Sequence, residues 1–376
     1  MQNDHSGSQW REEAVGTPPI SISQSYTLEQ LKEDLLPPSQ HDLSARDLPE
    51  TTPTRQQASI SAQSLDQNEY LPGKLPLTHG GFDDSAVVAQ TTVLYLAYGS
   101  NLASKTFLGM RGIKPLSQLN VVVPELRLTF DLPGVPYIEP CFAGTHFRRT
   151  SEAMDGEKAS DAANTSGKHT LLQNEDWDQD RYTGPLIGVV YEVTLRDYAK
   201  IIATEGGGRG YKDIVVTSYP FPENYNPADP IPEQPATQPV KAHTLLSPAA
   251  IKDLMQPSSH AKSSPRRAQP SARYLGLIKT GAEEHNLPLV YREYLSQIQP
   301  YRRTTMRQKI GMFVFLVTWA PFLLAVLAIQ KIFARPDGRS PEWAGRFSDF
   351  VKVGMWSSYD YVFSRAFGDG ERTVDR

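Results

Sequence analysis

Apolar and polar positions divide this chain of 376 residues into stretches of different character. Up to about residue 88 it is rich in Ser, Gln, Thr and Pro and shows no sustained apolar period. Such a composition cannot bury enough surface to offset its ordering entropy, so residues 1–88 are expected to be a disordered arm. Within it, "SYTLEQLKEDLL" predicts at most a short helix, either transient and solvated or a docking motif. From Thr91 the pattern changes. "TVLYLAY" is β-branched and aromatic, a strand signal, and "SKTFLGMRG" predicts a short helix closed by Gly112. "NVVVPELRLTFDL" predicts a strand pair or one strand bent at Pro124. Residues 148–183 are polar, a surface insertion. "PLIGVVYEV" is the next strand, and "TLRDYAKIIATE" a helix capped by Thr194, with Asp197 three residues on. After "GGGRGY", "KDIVVTSY" is a further strand. Residues 220–239 hold seven prolines and residues 256–271 are basic and Ser/Pro-rich. Helices are expected at "SPAAIKDLM" and through "SARYLGLIKTGAEEHNLPLVYREYLSQI". The pattern predicts one α+β domain over residues 89–301, with insertions at 148–183, 220–240 and 256–271.

A different pattern follows. "IGMFVFLVTWAPFLLAVLAI", Ile310 to Ile329, is 20 residues without a charge, about the length that crosses a hydrocarbon core of ~30 Å as a helix. Pro321 is tolerated in such a setting. Arg302, Arg303, Arg307 and Lys309 precede the segment, and Lys331 and Arg335 follow it. The expectation is a single-pass transmembrane helix over residues 308–330 and a tail over 331–376. In the tail, "FSDFVKVGMWSSYDYVF" carries Asp349, Lys352 and Asp360, which suits an interfacial amphipathic segment better than a second span.

Composition narrows the function. A net charge of −4 gives no global argument for nucleic acid. Cys141 is the one cysteine, so no intramolecular disulfide forms, which fits a reducing compartment. "MQNDHSGSQWREEAVG" lacks the basic-then-apolar pattern of a secretory signal. There is no G-x-x-x-x-G-K-[ST], H-E-x-x-H or C-x-x-C, and the histidines show no ligand spacing, so no metal or cofactor is expected. Cys141 in "EPCFAG" reads as a small buried thiol rather than a nucleophile.

Two motifs remain. In "AYGSN", Gly99 permits a tight turn, with φ > 0 expected, and Ser100 and Asn101 are placed to cap the helix that follows. Exposed N–H groups there would suit a carboxylate. In "TEGGGRGY", Glu205 sits where a helix runs out into glycine, at the negative end of the helix dipole, a position that suits an acid/base. From spacing alone, a plain strand-to-helix connection and a solvated Glu beside a C-terminal glycine remain open.

The blocks "YLAYGSN", "EPCFAGTHF", "LIGVVYEVTLRDYAKIIATEGGGRGY" and "SARYLGLIKTGAEEHNLPLVYREYL" stand in an order that resembles the γ-glutamylcyclotransferase family, particularly its fungal members. The resemblance covers about Leu94 to Ile298 without the insertions. It implies a small mixed β-barrel with flanking helices. It further implies that Tyr98, Gly99, Ser100 and Asn101 form the substrate loop, that Glu205 is the acid/base, and that Tyr211 contacts substrate. The implied reaction closes a γ-glutamyl amide onto its own α-amine, releasing 5-oxoproline and an amine, without metal or cofactor. The implied partner is a small γ-glutamyl compound such as a γ-glutamyl amino acid or glutathione. The long "GGGRG" loop and the insertions leave the leaving group open. A different lyase or amidotransferase on the same fold, and a non-catalytic membrane-tethered binding protein, are the alternatives. The tighter cationic cluster before the apolar segment places the domain in the cytosol.

Overall fold

The computed structural model describes residues 48–62, 92–148, 184–205, 212–233, 235–246, 268–333, 335 and 339–374. The polar stretch 149–183, the helix expected at "SPAAIKDLM" and Tyr211 lie outside the described residues.

The chain enters with a short helix, α1 (Pro53–Ala58). Strand β1 (Thr92–Ala97) leads to a 3-10 turn, Ser100–Leu102, and a π-helical turn, Lys105–Met110. Gly112, with φ +59°, closes that turn as the sequence predicts. Then come β2 (Ser117–Val123), β3 (Leu126–Val135), β4 (Glu139–Phe147), β5 (Leu186–Thr194), α2 (Leu195–Thr204), β6 (Lys212–Pro220) and β7 (Val240–Leu246). Helices α3 (Ala272–Glu284), α4 (Leu289–Gln297), α5 (Met306–Ile332) and α6 (Glu342–Ser358) follow. A π turn (Tyr359–Phe363) and α7 (Ser364–Phe367) end the helical part.

Five strands close into a barrel in the order β1-β5-β2-β6-β7, while β3 and β4 form a separate two-stranded sheet. β5 is the long central strand, antiparallel to β1 from Thr92↔Thr194 to Ala97↔Val189 and to β2 on its other side. Closure comes where β1 meets β7 in parallel at Tyr95↔His243. β5 is buried along nearly its whole length, which explains why "LIGVVYEV" reads as a continuous apolar run rather than an alternation. The barrel interior and the flanks of α2 and α3 share one apolar core that includes Leu96, Val121, Val190, Tyr191, Tyr198 and Ile278. Fully burying one such side chain contributes about 1.5–3 kcal/mol.

The mixed barrel with flanking helices is the architecture implied by the family resemblance. The strand pair expected around Pro124 is present, but its two members, β2 and β3, join different sheets. Part of the expected disordered arm is ordered. Residues 48–62 pack on the barrel: Thr51 N donates to Gln118 O at 3.0 Å, the Thr51 and Ser117 hydroxyls meet at 2.9 Å, and Arg55 Nε reaches Glu192 Oε1 at 2.9 Å. This segment is held by hydrogen bonds and an ion pair rather than an apolar stripe, so hydrophobic periodicity does not register it.

α5 is capped by a reciprocal pair, Thr305 and Gln308, and contains Pro321. It is the one helix among the described residues long and apolar enough to cross a membrane, with mean hydropathy 2.5. A second core joins it to the rest: Phe315 of α5, Met355, Tyr359 and Phe363 pack around Tyr137, in the turn between β3 and β4.

Candidate active site

The end of β1 and the end of α2 meet at a small, partly open cleft, lined by Tyr95, Tyr98, Gly99, Ser100, Asn101, Ala143, Glu205, Leu245 and Tyr274. Four of the residues named from "YGSN" and the Glu of "TEGGG" are thus brought to one place across more than a hundred residues of sequence.

Local chemistry fixes both sides. β5 ends at Thr194, whose hydroxyl accepts from Asp197 N at 3.1 Å and starts α2. Tyr198, Ala199, Ile201 and Ile202 hold α2 on the barrel through one buried face. The helix stops at Glu205, whose N–H still bonds to Ile201 O and Ile202 O, so the carboxylate is delivered at a fixed depth. Arg111 follows the π turn, just before Gly112, and its Nη2 lies 2.5 Å from Glu205 Oε1. Its Nη1 also bonds to Thr204 Oγ1. This guanidinium is a cation that a reading of Glu205 from the helix dipole alone does not contain.

Asn101 is turned inward, not back on its own turn. Its Nδ2 donates to Tyr95 Oη at 2.8 Å and to Glu205 Oε1 at 3.4 Å. Its Oδ1 is buried without a hydrogen-bond partner among the described residues. The capping expected of Ser100 and Asn101 is therefore absent; neither makes a side-chain cap. The 3-10 turn begins bonding at Leu102 N→Gly99 O, so the N–H groups of Ser100 and Asn101 have no partner inside it.

Gly99 has φ −107°, so the left-handed geometry expected for it is not what selects glycine. Space does. A Cβ there would lie 3.1 Å from Tyr274 Oη and 3.6 Å from Ala143 Cβ. Tyr98 lines the cleft with its ring, but its hydroxyl is committed to Leu245 O at 2.8 Å. It ties the turn to β7.

Three participants escape a reading of the sequence. Tyr95 sits beneath Asn101. Arg111 anchors Glu205. Tyr274 of α3 accepts from Ala143 N at 3.1 Å and keeps its own O–H available to the cleft. Burial pushes the Tyr95 and Tyr274 phenols well above their ordinary range, with the Glu205 charge acting in the same direction, so both are neutral donors at neutral pH. Tyr274 lies inside the block "SARYLGL", which carries a resemblance but no motif-level hint of a role. Arg111 gives no signal beyond preceding Gly112.

α3 also fixes the turn directly. A Cβ on Gly281 would lie 2.4 Å from Leu102, so the helix rests on the turn's own backbone. Glu284 Oε2 accepts from Ser104 N at 2.7 Å. His285 Nε2 meets Tyr191 Oη at 2.7 Å and Leu102 O at 3.1 Å. The sequence "GAEEH" is thus a clamp on residues 102–104. Cys141 is buried, and burial raises its thiol well above the usual range, in keeping with a structural role. Tyr211 and the glycine run 206–210 lie outside the described residues. Among the described residues no group of His, Cys, Asp and Glu is placed to hold a metal ion.

Comparison with known proteins adds the following. Residues 305–366 match a family model described as the AclK C-terminal domain. Gamma-glutamyl cyclotransferase gliK of Aspergillus fumigatus is 32% identical over 280 residues, spanning 74% of this chain and 89% of that protein. Gamma-glutamyl cyclotransferase aclK of Aspergillus oryzae is 30% identical over 285 residues, 74% of this chain and 90% of the relative. A solved gamma-glutamyl cyclotransferase aligns with 57% of this chain and 92% of its own at 18% identity and a TM-score of 0.34. The similarity to gliK, carried across nearly that whole protein, establishes that this chain belongs to the γ-glutamyl cyclotransferase family.

Proposed function

We propose that the cleft converts a γ-glutamyl amide to 5-oxoproline and a free amine. The observation that carries this reading is the pairing of Glu205 with Asn101, whose buried Oδ1 lacks a partner among the described residues. Together they offer two acceptors to one ammonium group. The turn's N–H groups at Ser100 and Asn101 face the opposite need, an anion. A γ-glutamyl group supplies both charges from a single α-carbon.

The steps follow from that placement. Glu205 takes a proton from the α-ammonium. The amine nitrogen attacks the γ-carbonyl carbon and closes a five-membered ring. A turn N–H or the Tyr274 hydroxyl stabilises the oxygen as it gains charge. Glu205 passes its proton to the leaving nitrogen and takes the second proton from the ring nitrogen as the C–N bond breaks; that proton then departs with the released amine, which leaves as its ammonium. Nucleophile and electrophile belong to one molecule, so the protein's main task is to hold the reactive conformer. Tyr98 shapes the wall and Gly99 leaves room for Tyr274; Tyr211 is assigned to substrate contact by resemblance. Incubating the protein with a panel of γ-glutamyl amino acids, glutathione and glutathione conjugates, and assaying 5-oxoproline, tests the reading. No product from any member would reject it in favour of a different lyase or a binding protein.

We further propose that α5 attaches the protein to a membrane with the catalytic domain on the cytosolic side. The 20 uncharged residues from Ile310 to Ile329 support attachment, and the cluster Arg302, Arg303, Arg307 and Lys309 at the domain end supports the orientation. The sequon "NTS" at Asn164 reports on it. Asn164 stays unmodified if the domain is cytosolic; a glycosidase-sensitive mass shift abolished by Asn164→Gln would reverse the assignment.

A further inference from the structure

The chain that leaves the catalytic domain at Arg302 comes back to it. α5 and the continuous helix formed by α6, the π turn and α7 run antiparallel. Phe333 and Trp343 pack edge to face with centroids 5.0 Å apart at one end. Trp319 Nε1 donates to Ser358 Oγ at 3.0 Å midway, and Gly311 faces Phe367 at the other end. Residues 369–374 then bond to the domain. Tyr137 N donates to Gly370 O at 2.7 Å, Gln269 N to Glu371 O at 2.9 Å, and Arg302 N to Thr373 Oγ1 at 2.9 Å. Two helix ends tied to one domain cannot lie on opposite sides of a bilayer.

The outer faces of the two helices differ. Between Ile310 and Ile329 α5 exposes only uncharged residues, with Phe313 66% and Val317 63% exposed. The return helix exposes Arg346, Lys352 and Asp360 beside Phe350 and Val353. As a second lipid-facing crossing it would carry Lys352 and Asp360 into hydrocarbon, where charges are costly. With the pair lying in the bilayer surface, α5 is submerged and the charges stay at headgroup level. Cations stand in both end turns of α5, Arg307 and Lys309 in the first and Lys331 in the last, and suit an anionic headgroup layer.

Resting on the reading of α5 as a membrane anchor, we propose that α5–α7 form a hairpin embedded from one face of the bilayer. Acyl chains cover the exposed surface of α5. The catalytic domain, the turn around Arg335 and the C-terminal segment all stay on the same side. The single crossing expected over residues 308–330 thereby becomes a one-sided insertion.

Cys141 is buried, and in a Cys141→Ser background the full-length chain can report position one residue at a time. Glu293→Cys on α4, Arg335→Cys, Val374→Cys and Val317→Cys are each expressed in closed microsomes and treated with a membrane-impermeant maleimide. Carbonate extraction is run in parallel. The proposal expects protein in the carbonate pellet, similar labelling at 293, 335 and 374 without detergent, and loss of labelling at 317 until detergent is added. Labelling of Arg335→Cys only after permeabilisation would show that the hairpin crosses and would overturn the proposal while leaving the anchor intact. Val317→Cys labelled as readily as Glu293→Cys in pelleted protein would show that lipid does not cover α5. Release into the carbonate supernatant would overturn the anchor itself, and a released dimer with position 317 protected would give that surface to a second copy.

Discussion

Arg111 Nη2 lies 2.5 Å from Glu205 Oε1, although 94 positions separate them in the chain. Both side chains are largely withdrawn from water, 13% and 19% exposed, so the contact is not a freely solvated surface pair. The guanidinium holds one carboxylate oxygen; in the proposed reaction the other oxygen takes the substrate's proton.

Removing that anchor should loosen Glu205, the proposed acid/base, without unfolding the protein. Arg111→Ala is expected to lower kcat by about tenfold, a positioning loss, with thermal stability near that of the wild type. Arg111→Lys should recover part of it, since a point charge replaces the fork. Unchanged kcat in Arg111→Ala would make the pair incidental.

The contact between Gly99 and Tyr274 predicts a coupling. Gly99→Ala puts a methyl 3.1 Å from Tyr274 Oη, a tight contact, and should raise KM; Gly99→Val should abolish activity. Tyr274→Phe removes the crowding oxygen. The double variant Gly99→Ala/Tyr274→Phe should then bind substrate better than the product of the single effects allows. Strict additivity would show that the two residues act separately.

Gly281→Ala tests the clamp of α3 on the turn. Its methyl would meet the Leu102 backbone at 2.4 Å, and helix or turn must shift. Overpacking of this kind costs about 1–3 kcal/mol. A lower denaturation midpoint together with lost turnover is expected; Gly276→Ala on the same helix, where a Cβ meets nothing within 4 Å, is the control that should change neither.

How much of this was readable from sequence depends on what holds each element. β1, β5 and the end of α2 announce themselves because their burial is apolar, and Glu205 follows from where that helix stops. β4 does not, because its buried positions include Cys141, Ala143 and Thr145, too small or polar to set a rhythm. β7 is masked by His243 and Thr244, buried polar residues whose partners, Asp213 and Leu96 O, are remote in sequence. The glycine of "YGSN" was legible as a requirement, but its cause was not. A φ > 0 turn is a local idea, whereas room for Tyr274 exists only once α3 has packed. Arg111 was invisible for the same reason. Residues 48–62 show the complementary case, since their composition describes a soluble tail and partners on β1, β2, β5 and β7 make them part of the fold.

The C-terminal segment should dock more weakly as pH rises. Burial, then the charges of Asp369 and Asp360, push the Glu371 carboxyl up to about 7. A group that binds its proton more tightly when folded contributes no difference below the ordinary carboxylate range, where both states are protonated. It costs stability progressively as pH climbs from there through about 7. Glu371→Gln should remove that dependence, so its melting temperature should equal the wild type's near pH 4 and exceed it near pH 8. An identical difference at both pH values would refute the assignment.

The central claim is that Glu205 moves the proton in an intramolecular cyclisation, and the direct measurement is 5-oxoproline formed by wild type and Glu205→Gln from the best γ-glutamyl substrate. The amide keeps the shape and the hydrogen bond from Asn101 but cannot take a proton. Turnover should fall by about 10²-fold or more while the fold is retained. Stoichiometric release of 5-oxoproline and free amine by the wild type, lost in the variant, is the predicted result; product formation by Glu205→Gln at the wild-type rate would contradict the account.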